Sequence, residues 1–345
     1  MQNTSLTRDD VSLKARILSV FSVLGLFNIG TWIWAFIALH GQPLLLSAAL
    51  LAYGFGLRHA VDADHIAAID NVTRKLMQDG KRPVTVGFFF ALGHSAVVVI
   101  VALGVAIAAS ALQSRVDAWR TIGGILSTSV SALFLFLIAA MNIVILRGVW
   151  KRFDKVRRGE SIEADDLDLL LNNRGLLARL YKPLFRLVSH PLWMLPLGFL
   201  FGLGFDTATE VSLLSMSASQ AVHGVSLSQI LVFPMLFAAG MSLVDTADGV
   251  LMLGAYQWAF VKPIRKLYYN LTITLVSVVV AVMIAGIETL GLLNDQFGFT
   301  GVFWDIVGAL NDNFNDLGFF IIGLFIFAWV SSLAIYRWRR YDRLA

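Results

Sequence analysis

LLLSAALLAYGFGLRHAVDADHIAAIDNVT, residues 44–73, is apolar for half its length and then carries Arg58, His59, Asp62, Asp64, His65 and Asp70. The first half has the composition of a membrane-spanning helix. The second half holds groups that a bilayer interior resists: one charge near its centre costs about 2.5–3.5 kcal/mol even on the lenient insertion scale. Several such groups in one span need compensation. At about 100° per residue, His59, Asp62 and His65 fall at roughly 0°, 300° and 240° on a helical wheel, forming one polar stripe, while Asp64 points elsewhere. On a straight helix rising 1.5 Å per residue, His59 and His65 are about 9 Å apart. One ion cannot easily reach both at about 2 Å. Either the helix is unwound here, for which Gly54 and Gly56 make room, or only some of these residues are direct ligands.

The rest of the chain agrees with a membrane setting. It is 57% hydrophobic and 14% charged, with a mean hydropathy of +0.74. Soluble domains carry about 25% charged residues, enough to cover a surface. Residues 1–17 are polar and of mixed charge, and the apolar run after them is long enough to span, so no cleavable leader is expected. Cysteine is absent, which excludes disulfides and thiolate ligands. Any metal must be held by His, carboxylate or other nitrogen and oxygen donors.

Apolar stretches long enough to span fall at about 18–39, 43–70, 84–112, 121–146, 192–220, 230–258, 267–291 and 318–338. The expected fold is an all-α integral membrane protein of about eight transmembrane helices. Residues 1–146 hold the N-terminus and four spans, 147–190 a long hydrophilic connection, and 191–345 four more spans and the C-terminus. Of the 27 Lys and Arg residues, 24 fall in one alternating set of connections and 2 in the other; Arg58 lies inside a span. This set includes Arg74 and Lys75, read as part of the connection at 71–83. By the positive-inside rule both termini are cytoplasmic. Sorting by membrane side explains the net charge of +4 better than a nucleic-acid partner does. Trp119, Trp150, Trp193, Trp258 and Trp338 fall near expected helix ends, as interfacial anchors or as lipid-facing bulk.

Other spans carry ionisable groups too. FFFALGHSAVVVIVAL places His94 near mid-membrane. LGFLFGLGFDTATEVSLLS places Asp206 and Glu210 at i and i+4. AAGMSLVDTADGVLM places Asp245 and Asp248 at i and i+3. With Asp62 and Asp64 these carboxylates, set against Arg58 alone, would carry about −5 if all were ionised, which a low dielectric does not tolerate. They must be protonated, hydrated or paired with a bound cation. Imidazole beside carboxylate suits a borderline transition metal, whereas an all-oxygen cage would suit magnesium or calcium. A lone intramembrane His or Asp can serve helix packing; this many in four spans exceeds what packing needs. Arg58 is read as structural, neutralising a carboxylate or reaching the interface. Asp70 is read as an interfacial helix end. His40, His190 and His223 lie in or near loops and receive no role.

Phe55-Gly56-Leu57 matches Phe201-Gly202-Leu203 at an offset of 146, and ALGHSAVV (91–98) matches AAGMSLVD (238–245) at 147. The second span thereby pairs with the fifth and the third with the sixth. These run in opposite directions, so the repeat would be inverted, with the substrate site at its interface. The matches are short, and the alternative is chance similarity of glycine-rich membrane sequence.

RHAVDADHI (58–66), LGHS (92–95), LGFDTATE (203–210) and GMSLVDTADG (240–249) together resemble the nickel/cobalt transporter (NiCoT) family, in the expected order and over most of the membrane region. The resemblance implies high-affinity uptake of Ni²⁺ or Co²⁺ across the bacterial cytoplasmic membrane by a single polypeptide. It places ligand roles on His59, Asp62, Asp64 and His65, joined by His94, with Asp206, Glu210, Asp245 and Asp248 completing the pathway. The ion is the transported substrate, and no cofactor is expected. There is no GxxxxGK[ST] loop, so no nucleotide is expected to be hydrolysed. The acidic segment 292–317, without Lys or Arg, is either an entry face or a solvated loop. Rivals are a metal exporter and a membrane-embedded metalloenzyme. DADH at 62–65 superficially resembles a hydrolase metal box, but HExxH is absent and the polar groups spread over four spans.

Overall fold

The computed structural model describes residues 8–108, 113–158, 189–204, 207–259 and 263–338, and all regular structure among them is helical. The first elements are α1 (Arg8–Ala38), α2 (Pro43–His59), α3 (Ala63–Gln78), α4 (Val86–Ala108) and α5 (Gln113–Arg157). After a 3₁₀ turn at Pro191–Trp193 come α6 (Met194–Phe201), α7 (Ala208–Val222), α8 (Leu227–Ile230) and α9 (Val232–Ala259). The chain closes with α10 (Pro263–Phe297), α11 (Val302–Asp312) and α12 (Phe314–Trp338). Pro43 opens α2, where its missing N–H has no helical partner to lose.

Five helices are long and apolar enough to cross a bilayer: α1, α4, α5, α8 together with α9, and α10. The pairs α2–α3 and α11–α12 raise the number to seven if each is one interrupted span. The protein is therefore an all-α, multi-pass membrane protein, with five to seven spans by length and composition among the described residues. The difference from the expected eight lies at 192–220. There the apolar stretch is divided into a 3₁₀ turn, α6 and α7, with Phe205 and Asp206 outside the described residues.

Three boundaries differ from the sequence reading. The second apolar stretch is not one helix: Ala60–Asp62 interrupt it, the local unwinding that was one of the two readings of the spacing of His59 and His65. Helix α3 then runs on to Gln78, so Arg74 and Lys75 are buried in a helix rather than set in a connection. The acidic segment at 292–317 is no loop, because α10 extends to Phe297 and α11 fills most of the remainder, leaving Asp305, Asp312 and Asp316 exposed. Of the long connection, α5 takes the first part, to Arg157, and residues 159–188 lie outside the described set.

The chain folds as two compact units. The first comprises residues 1–61, 80–130 and 191–251. Its core gathers Ala49, Ala52, Val98, Leu213, Phe233 and Phe237. Glycines let its helices touch backbone to backbone. A Cβ on Gly93 would strike the Leu195 carbonyl, one on Gly198 the Phe90 carbonyl, and one on Gly56 the Phe237 backbone. Close approach of this kind is how membrane helices gain packing energy without a hydrophobic drive between them. The second unit comprises residues 62–79, 131–190 and 252–345. In it α3 packs against α10 and α12, and α10 against α11 and α12. Every residue of α3 from His65 to Met77 is buried.

Candidate metal site

Three elements of the first unit deliver one polar group each to a common point. His59 is the last residue of α2, His94 sits in the middle of α4, and Glu210 lies in the first turn of α7. All three are 1–2% exposed. His59 Nε2 is 3.0 Å from His94 Nε2. His94 Nε2 is 2.9 Å from Glu210 Oε1, and His59 Nε2 is 3.8 Å from the same oxygen. Aromatic rings flank the imidazoles: Phe237 lies 5.3 Å from His59 and Phe90 6.2 Å from His94, centroid to centroid. The surroundings are apolar and the centre is not.

Threonine hydroxyls fix this geometry. Thr207 is the N-cap of α7, with extended backbone, and its Oγ1 accepts from the Glu210 N–H. The same hydroxyl donates its one proton to Glu210 Oε2 at 2.9 Å. Toward His59 Nδ1, 3.4 Å away, Thr207 therefore acts as an acceptor. Thr209 Oγ1 stands 3.3 Å from the same nitrogen. The pattern places the proton of a neutral His59 on Nδ1 and leaves Nε2 as a lone pair facing the site. One proton on His94 Nε2 then serves both of its contacts. A cation taking that proton's place would meet two imidazole nitrogens and a carboxylate oxygen. For metal–ligand bonds of about 2.0–2.1 Å, neighbouring donors stand about 3.0 Å apart at right angles and about 3.4 Å apart at tetrahedral angles. The edges of 2.9 and 3.0 Å match the right-angle spacing, and the 3.8 Å edge between His59 and Glu210 is longer than either.

The other residues singled out in the sequence are placed as follows. Asp245 is fully buried in α9 and close enough to His94 for their charges to interact, and Asp248 is half-buried one turn on. Asp206 lies outside the described residues. In the second unit Asp62 is the N-cap of α3, its Oδ1 accepting from the Ala63 N–H at 3.2 Å. Asp64 Oδ1 accepts from the His65 N–H at 2.9 Å, and His65 is buried. Arg58 is exposed, as a side chain reaching the interface would be, and His40, His190 and His223 are exposed. Asp70 is corrected: it lies in the body of α3, fully buried, accepting a hydrogen bond from Ser277. Thr207 and Thr209 escaped the sequence reading, although Thr207-Ala208-Thr209-Glu210 fits the S/T-x-x-E pattern that caps a helix start.

Comparison with known proteins adds an independent line. Residues 45–335 match the family model NicO, described as high-affinity nickel-transport protein. The high-affinity nickel transport protein of Cupriavidus necator is 58% identical over 329 residues, covering 95% of this chain and 94% of that one. A nickel transporter of Staphylococcus aureus is 43% identical, covering 94% of this chain and 95% of its own. A cobalt transport protein of Rhodococcus rhodochrous is 40% identical, covering 93% and 92%. No solved structure matches.

Proposed function

Because the chain belongs to the family of high-affinity nickel-transport proteins, we propose that it takes up Ni²⁺ and Co²⁺ across a bacterial cytoplasmic membrane as a single polypeptide. Both termini are cytoplasmic in this proposal, and the interior-negative potential draws the ion inward with about 2.3 kcal/mol per charge per 100 mV, doubled for a divalent ion. His59, His94 and Glu210 bind the ion in the membrane. Asp62, Asp64 and His65, close in sequence to His59, and Asp206, Asp245 and Asp248 complete the pathway. The observation that carries this is the triangle of His59 Nε2, His94 Nε2 and Glu210 Oε1, with edges of 3.0, 2.9 and 3.8 Å in a buried, apolar surround.

Alternating access by an inverted repeat within the first unit accompanies the proposal. It is supported by a matched pair of contacts. A Cβ on Gly240 would meet Tyr53, and one on Gly93 would meet Phe199. The offsets of 146 and 147 pair Tyr53 with Phe199 and Gly93 with Gly240, so each glycine faces the counterpart of the other's neighbour.

Export is the reading to be separated, and direction of flux separates it. Cells expressing the chain should accumulate radiolabelled nickel and cobalt, with cold nickel and cobalt competing better than manganese or magnesium. His59→Ala should abolish accumulation while the protein remains in the membrane. Lowered internal metal would sink the uptake proposal, and wild-type accumulation by the variant would remove His59 from the pathway.

A further inference from the structure

The second unit holds a separate set of buried polar groups that the metal pathway does not use. On α10, Ser277 and Glu288 are 11 residues apart; on α5, Ser131 and Asn142 are also 11 apart. Eleven residues make about three turns and about 16 Å of rise, so each pair lies on one face of its helix. Glu288 Oε1 accepts from Ser131 Oγ at 2.7 Å. Ser277 Oγ donates to Asp70 Oδ2 at 2.8 Å, and Asn142 Nδ2 donates to Asn71 Oδ1 at 2.8 Å, Asp70 and Asn71 being neighbours on α3. The matched spacing sets α5 and α10 antiparallel and sorts the contacts into two tiers. The outer tier is Ser131 with Glu288. The inner tier is Asp70 with Ser277, and Asn71 with Asn142 and Arg74, whose Nη2 donates to Asn71 Oδ1 at 2.8 Å.

Charge is divided unevenly between the tiers. Among the described residues, the buried Lys and Arg side chains of this unit, Arg74 at 1% exposure and Lys75 at 3%, both belong to the inner one, on the turn of α3 that follows Asp70. Lys75 pairs with Asp79, while Arg74 Nε and Nη1 are buried without a hydrogen-bond partner among the described residues. Glu288, 5% exposed, occupies the outer tier about 16 Å away along α10. Around α10, the charged groups with described side chains are Asp64, His65, Asp70, Arg74 and Lys75 on α3, Arg147, Lys151 and Asp154 on α5, and Asp305, Asp312 and Asp316 on α11 and α12, the last three exposed. Ser, Thr, Asn or Gln suffice for polar pairs that only hold membrane helices together. An ionisable carboxyl at such a position is a functional-site signal.

We propose that Glu288, held by Ser131, is a proton-binding site of this transporter. The carboxylate of Glu288 takes a proton from water on one side of the membrane and is neutral while it holds it. Release regenerates the carboxylate. No other reactant is needed. The proposal rests on the uptake reading above and adds a coupled ion to it.

The test uses the full chain in sealed proteoliposomes containing a pH-sensitive dye, with the potential clamped by potassium and valinomycin and Ni²⁺ as the added ion. Nickel entry by the wild type should shift luminal pH, the sign giving the direction of proton movement. Glu288→Gln keeps the shape and the acceptor for Ser131 Oγ but cannot titrate. It should bind nickel as the wild type does and lose the pH shift that accompanies entry. Should Glu288→Gln bind nickel yet admit none, Ser131→Ala decides, because it keeps the carboxyl and alters only its partner. The pH at which entry is half-maximal should then move, and an unmoved midpoint overturns the site. Nickel entry without a wild-type pH shift, or with the same shift in Glu288→Gln, also overturns it. Absence of nickel entry by the wild type would instead overturn the uptake reading itself.

Discussion

Glu210 shows how much a single side chain carries. Its own N–H donates to Thr207 Oγ1, one carboxylate oxygen accepts the Thr207 proton, and the other faces both imidazoles. Glu210→Gln keeps the volume and removes the charge, so nickel binding to the purified chain should fall below detection in equilibrium dialysis. His94→Ala should do the same. Thr207 acts through its neighbours. Thr207→Val removes one of the two hydroxyls at His59 Nδ1 and the donor to Glu210 Oε2, and should weaken nickel binding about 10–100-fold, as loss of outer partners of metal ligands does. Thr207→Ser keeps the hydroxyl and should bind as the wild type; equal loss in both would mean that only packing was disturbed. His59, His94 and Glu210 were legible in the sequence because an ionisable residue inside an apolar run is conspicuous. The threonines were not, because hydroxyls are common on membrane helices. Asp70 was misplaced because a span of ordinary length ends near it, and nothing local says that α3 continues, buried, for two more turns.

Helices of the first unit meet through glycine, and that contact is sensitive to one methyl group. Gly198→Ala puts a Cβ into the Phe90 carbonyl, and the backbone must shift. Overpacking of this kind costs about 1–3 kcal/mol. Gly104→Ala on α4 meets nothing within 4 Å and should be neutral or stabilising, since alanine is the better helix former. Thermal unfolding of both variants in detergent checks the pair, and equal melting temperatures would contradict the packing described here. Most helices were legible from apolar length alone. The interruption at Ala60–Asp62 was one of two readings open in the sequence, because a straight helix holds His59 and His65 about 9 Å apart. The division of the expected fifth span into α6 and α7 had no such signal: its composition stays apolar up to Asp206.

For the molecule as a whole, the sorting of Lys and Arg predicts which connections face which side. The chain has no cysteine, so single introduced cysteines report without background. His40→Cys and His223→Cys should react in intact cells with a membrane-impermeant maleimide, and Lys81→Cys only after lysis; the reverse pattern would invert the topology. Charge alternation was readable over the full length because it is a sum over many residues. Arg74 and Lys75 were miscounted as loop without disturbing it. The whole account turns on one local event, in which a hydrated divalent ion exchanges water for imidazole inside the bilayer. Nickel K-edge X-ray absorption of the purified chain loaded with one equivalent of Ni²⁺ reads that event directly. The spectrum should show two or more imidazole ligands with nitrogen at about 2.0–2.1 Å, and His94→Ala should lose one of them. A shell of oxygen alone, unchanged by His94→Ala, would contradict the account.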